Sequence, residues 1–151
     1  MKIAGRRLEV HVAPFAATEA DLWLYDPKTR VAIVGDLVVD IVPFMDTACP
    51  DGWKKALDEV KATPFVTLIP GHGAPMTRDD FARWRGAFET WLGCAASDRT
   101  AAQCADGWMH DAAGFYTLDE ADDARMLAEA YVARVLRVPA GERMAYCSAK
   151  K

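Results

Sequence analysis

The sequence predicts a mixed α/β (α+β) chain: one mixed sheet with flanking helices over residues 1–92, followed by a helical appendage over residues 93–151. Three observations predict it. Short segments rich in β-branched and aromatic residues fill the first 36 positions, a strand, helix, strand succession follows to about residue 70, and apolar residues recur at helical spacing from Thr77 onward.

The segments "RLEVHVA" (7–13), "DLWLY" (21–25) and "VAIVGD" (31–36) alternate or run apolar, as strands do. Asp26-Pro27-Lys28-Thr29 is a turn signal, so the second and third segments form a hairpin. In "CPDGWKKALDEVKA" a Pro and Asp start precedes Trp53, Ala56, Leu57 and Val60 at helical spacing. "PFVTLIPGHG" then reads as a fourth strand ending in a Pro- and Gly-bounded loop, which makes a βαβ-like crossover. From Thr77, an N-cap with Asp79 and Asp80 in the first turn, Phe81, Trp84, Phe88, Trp91 and Leu92 share one helix face. A last helix places Ala124, Leu127, Ala128, Tyr131, Val132 and Val135 on one side and closes before Pro139. The stripe Trp84, Phe88, Trp91, with Trp53 and Trp108, reads as core rather than as a ligand platform.

Composition excludes several functions. The 151 residues are 52% apolar, enough to bury a core, and carry a net charge of -4 without Lys/Arg clustering, so nucleic-acid binding is not expected. No apolar run reaches the length of a membrane span, and the N-terminal stretch holds no apolar segment of signal-peptide length. Cys94 and Cys104 bracket the small-residue loop "CAASDRTAAQC"; a disulfide would staple it, and buried free thiols are the alternative. Cys49 and Cys147 would be the remaining pair. Disulfides would imply an oxidising compartment, periplasmic or extracellular.

Asp36 and His72 carry the chemistry. Asp36 lies within an apolar run, where a buried carboxylate needs a partner, and Gly71 and Gly73 leave room around His72. Both fall where a strand gives way to a loop. A strand ending "GD", a helix, and a strand ending "PGHG" resemble, in that order, the C-terminal half of the metallo-β-lactamase superfamily, with the likeness running from about Arg7 to Trp91. The resemblance implies half of an αββα sandwich, with Asp36 as the metal-bridging carboxylate and His72 as the last histidine ligand. It also implies zinc, whose bound hydroxide would attack an ester, amide or thioester of a small-molecule substrate.

The sequence also departs from that pattern. The H-x-H-x-D-H motif is absent, and the family's H-T-x-x-D stretch reads Ala17-Thr18-Glu19-Ala20-Asp21, where alanine cannot ligate. Of His11, His72 and His110, only His72 matches a ligand position; the other two read as structural or surface histidines. Glu19, Asp40 and Asp46 are oxygen donors expected to be solvated. Ser97 and Ser148 lack a G-x-S-x-G context. One Asp and one His fall short of the three protein ligands of a catalytic zinc, so the chain alone is expected to be inactive or incomplete. Its partner would be an N-terminal half carrying the histidine motif or a second copy, as a homodimer of half-domains. The competing expectation is a non-catalytic assembly module with a decayed metal site.

Overall fold

The structure, a computed structural model, describes residues 2–3, 5–139, 142 and 145–148. Its first segment splits in two. β1 (Lys2–Ile3) and β2 (Arg6–Arg7) make a small antiparallel pair, while β3 (Glu9–Pro14) enters the main sheet. That sheet has four strands in the order β3, β4 (Ala20–Asp26), β5 (Val31–Gly35), β6 (Thr67–Pro70). β3, β4 and β5 run antiparallel, and β6 joins β5 in parallel, with Ala32 opposite Leu68. The hairpin and the crossover form where the turn signal and the helix between strands place them.

The crossover is α1 (Pro50–Ala62), which buries Trp53, Ala56, Leu57 and Val60. α2 (Arg78–Ala95) starts with a reciprocal cap: the Thr77 hydroxyl accepts from the Asp80 N–H, and the Asp80 carboxylate accepts from the Thr77 N–H at 3.1 Å. Its buried face is Phe81, Trp84, Ala87, Phe88, Trp91 and Ala95. The cysteine-bracketed stretch is shorter as a loop than its composition implies, because α3 (Ala101–Asp111) begins within it. Thr100 and Gln103 cap that helix as Thr77 and Asp80 cap α2. α4 (Ala121–Tyr131) passes into a π-helical turn at Val132–Leu136. Both cysteine pairs are disulfides: Cys94–Cys104 ties α2 to α3, and Cys49–Cys147 joins residues 98 positions apart.

Alternation gives the sheet two faces of different kind. Ala13, Trp23, Tyr25, Ala32, Val34 and Leu68 point to one side and are buried with the four helices in one continuous apolar cluster. On the opposite side of the same strands Val10, Val12, Leu22 and Ile33 stand exposed. The structure is therefore α+β, with helices on one face of a mixed four-stranded sheet and an apolar second face open to solvent.

Candidate functional site

The site is built at the C-terminal ends of β5 and β6. Because the two strands are parallel neighbours, the loops that leave them start side by side. Gly35, at φ +54°, turns the first loop. The Gly71 N–H donates to the carbonyls of Gly35 (2.8 Å) and Val38 (3.0 Å), stitching the loops together. No side chain fits at Gly71, since a Cβ there would stand 2.7 Å from the Gly35 carbonyl carbon and 2.8 Å from the Asp36 backbone nitrogen.

This close approach brings Asp36 Oδ1 to 3.6 Å from His72 Nε2. Two side chains 36 positions apart thus meet over the sheet edge. Both are exposed, at 63% and 69%. Asp36 is therefore not the buried carboxylate its apolar surroundings imply: Leu37, Val38 and Val39 turn inward while Asp36 points out. The buried acid is Asp26, 5% exposed, which faces Arg6 at 3.0 Å and accepts from the Lys28 N–H at 2.9 Å. Hydrogen bonding from the Thr29 side chain, with smaller help from the backbone N–H groups and Arg6, holds its carboxyl below the usual range.

The loop behind Asp36 is fixed by three indoles. Trp53 of α1, Trp84 of α2 and Trp108 of α3 donate their Nε1–H to the carbonyls of Leu37 (2.9 Å), Val39 (2.7 Å) and Ile41 (2.9 Å). Alternate carbonyls of one irregular segment are each satisfied by a different helix, which solves the problem of burying a loop. Ile41 holds φ +54°, unusual for a β-branched residue. Between these anchors the Asp40 N–H donates to the His72 carbonyl at 3.1 Å, a second link between the two loops. Burial pushes the half-buried Asp40 carboxyl up, Glu120 adds to this, and His72 opposes it. Gly73, at φ +101°, is the position where a Cβ would press on Asp40 at 3.1 Å. Beyond it lies a cleft of about 180 Å³ lined by Asp40, Gly73, Met76, Asp80, Arg83 and Phe115, among others.

The remaining candidates are engaged elsewhere. Asp46 accepts from the Tyr131 hydroxyl at 2.7 Å; burial first, and this carboxylate second, push the phenol far above its usual value. Glu19 is exposed, and its charge adds to burial in pushing the Tyr146 phenol up. His11 stacks on Trp23 at 3.8 Å, and the exposed His110 lies 2.8 Å from Asp111. Ala17 is buried, and its carbonyl accepts from Thr47 Oγ1 at 2.9 Å, so alanine fills the position where the resemblance has a histidine. Among the described residues no three of His, Cys, Asp and Glu come together in a group fit to hold a metal ion. A zinc needs at least three protein donors, so the residues present fit half of such a site and not a whole one. No metal-dependent step is derived for the single chain. Sequence reasoning assigned the tryptophans to the core and missed their second role; the available signal was that a buried indole N–H needs an acceptor.

No family model matches the chain, and no curated protein matches it. Solved structures do. The stereoselective inverting sec-alkylsulfatase Pisa1 from Pseudomonas sp. aligns with a TM-score of 0.58 at 15% identity, over 93% of this chain and 26% of that one. A double mutant of the same enzyme gives 0.58 and 15%, over 89% and 25%. A metallo-β-lactamase family protein from Thermus thermophilus gives 0.48 and 19%, over 85% and 44%. The chain spans about a quarter of the alkylsulfatase chains. The likeness to the alkylsulfatase chains concerns the fold alone: a mixed four-stranded sheet with helices on one face.

Proposed function

We propose that this chain is the C-terminal half of a metallo-β-lactamase-like hydrolase unit and contributes Asp36 and His72 to a zinc site that another layer completes. The observation that carries this reading is the 3.6 Å approach of Asp36 Oδ1 and His72 Nε2 at the ends of adjacent parallel strands. The glycines at 71 and 73 and the three-indole anchor support it, since they hold both loops in place at a cost in sequence freedom that a mere turn would not need. The substrate class is a small molecule bearing a hydrolysable ester, amide or thioester, and the fold likeness to a sec-alkylsulfatase adds alkyl sulfates. Two disulfides support a periplasmic or extracellular location.

The chain's own residues orient, rather than react: Asp36 and His72 present an oxygen and a ring nitrogen side by side, and the Asp40 N–H holds the His72 backbone. The test is zinc content by elemental analysis together with hydrolysis of aryl esters and sec-alkyl sulfates, on wild type, Asp36→Ala and His72→Ala. Zinc uptake lost in both variants, with no hydrolysis by the chain alone, is the expected result. Uptake equal in all three proteins would overturn it. A second reading, a non-catalytic assembly module, is favoured by the buried Ala17 and the open apolar sheet face; wild type that takes up no zinc selects it.

A further inference from the structure

The cleft beside His72 is lined by two carboxylates and one cation, and the cation is already committed. The Arg83 guanidinium lies over the Phe115 ring at 4.3 Å, donates to the Ala113 carbonyl at 2.9 Å and faces Asp80 at 3.6 Å. Arg83 and Asp80 therefore balance each other. Asp40 has no such partner. Among the described residues no Lys or Arg pairs with its carboxylate, and its one hydrogen bond comes from its own backbone N–H. Glu120 adds a second negative charge, and the imidazole of His72, which acts on Asp40 without a hydrogen bond, faces Asp36 at 3.6 Å. A half-buried carboxylate without a counter-ion gains from any cation that reaches it. We propose that this cleft binds a small organic ammonium ion, whose N–H groups donate to the Asp40 carboxylate and whose methylenes lie against Met76 and Phe115.

Size and lining select this class of ligand. The volume of about 180 Å³ is several times the ~30 Å³ share of one water and smaller than the ~300 Å³ at which sites for drug-sized ligands begin. A metal ion is disfavoured, because the cleft offers it no group of three ligating side chains, whereas an ammonium needs only one carboxylate and uses the apolar lining as well. A planar guanidinium would seek a fork of acceptors, and Arg83 already covers one face of Phe115. Gly73 follows His72 and lines the cleft, and a Cβ there would stand 3.3 Å from Asp40 Oδ2, so a bare backbone is what separates the two groups. The bound ammonium would thus sit beside the pair Asp36 and His72. On the hydrolase reading, on which this consequence alone rests, the substrate carries an amine a few bonds from the ester, amide, thioester or sulfate to be cleaved.

Amide chemical shifts of the whole, isotopically labelled chain, kept metal-free with a chelator, test this with n-propylammonium chloride as the probe. The uncharged and anionic counterparts are n-propanol and sodium propionate. Saturable shifts at residues 40, 73–76 and 114–115 are expected with the ammonium and not with the other two. Asp40→Asn should raise the dissociation constant at least about tenfold. Asp98→Asn makes the same charge change at an exposed position beyond the far end of α2 and should leave it unaltered. The amide spectra of both variants away from the cleft report that the fold is kept. No shift with propylammonium overturns the proposal, as do an equal response to propanol and a dissociation constant that Asp40→Asn leaves unchanged or that Asp98→Asn raises as much. The two readings fail separately. Ammonium binding lost in Asp40→Asn in a protein that takes up no zinc keeps the cleft and refutes the metal half, whereas zinc uptake lost in Asp36→Ala and His72→Ala without any response to propylammonium does the reverse.

Discussion

Leu22 and Trp23 are neighbours in β4, yet Trp23 is 1% exposed and Leu22 63% exposed. The strand is apolar on both sides, a pattern expected of a strand buried on both faces. Among the described residues only one face carries a layer of helices. The helices supply a full layer for Trp23, Tyr25, Ala32, Val34 and Leu68, and no described element does the same for Leu22 and its neighbours. Burial within the chain is thus concentrated on one face of the sheet, while apolar side chains of the same strands stand exposed on the other.

Substitutions on the covered face should cost most. Trp23→Ala removes a wholly buried ring and is expected to lose about 3–5 kcal/mol in urea denaturation. Opening the long-range disulfide with Cys49→Ser and Cys147→Ser together should cost about 3 kcal/mol, read by the same method, because it frees a loop of 98 positions in the unfolded chain. Trp84→Phe keeps most of the volume and orphans the Val39 carbonyl; a loss of about 1–3 kcal/mol is expected, with faster amide exchange over residues 37–41. Leu22→Asn, on the open face, should change the stability of the dilute monomer by less than about 0.5 kcal/mol. If it costs as much as Trp23→Ala, that face is covered within the chain and the comparison fails.

Acid sharpens the picture from another side. Asp26, Asp80 and Glu120 all lie below their ordinary carboxyl values in the folded protein, led by hydrogen bonds from Thr29, Thr77 and Thr117 respectively. Their contribution is present above the unfolded values and is lost as pH falls through the folded ones, so the melting temperature should drop below about pH 4. Asp40 has the opposite sign. Its folded value is raised, so its favourable term is full below the unfolded value and disappears as pH rises through the folded one. Asp40→Asn should therefore melt higher than wild type at neutral pH and gain nothing in acid. An Asp40→Asn melting profile parallel to wild type at every pH would contradict this.

Much of the fold was legible because its cues are local. Alternation marked β4 and β5, the Asp26 turn joined them, and Pro50 followed by Trp53, Ala56, Leu57 and Val60 gave α1. The start of α3 was not legible. Small residues around Cys104 carry weak periodicity, and the deciding cue was the Thr100 and Gln103 cap. At the site, order along the chain pointed to Asp36 and His72, but exposure did not follow from neighbours: an apolar run buries Leu37, Val38 and Val39 and still turns Asp36 outward at Gly35. The indole anchors at 37, 39 and 41 were beyond reach, because their donors lie 16, 45 and 67 positions away.

The central claim is that Asp36 and His72 act together toward a cation. Zinc titration followed by amide chemical shifts in isotopically labelled protein tests it residue by residue. The account predicts shifts confined to residues 35–40 and 71–73, absent in His72→Ala. Zinc-induced shifts centred on His11 or His110 instead, or a His72→Ala protein that responds as wild type does, would contradict it.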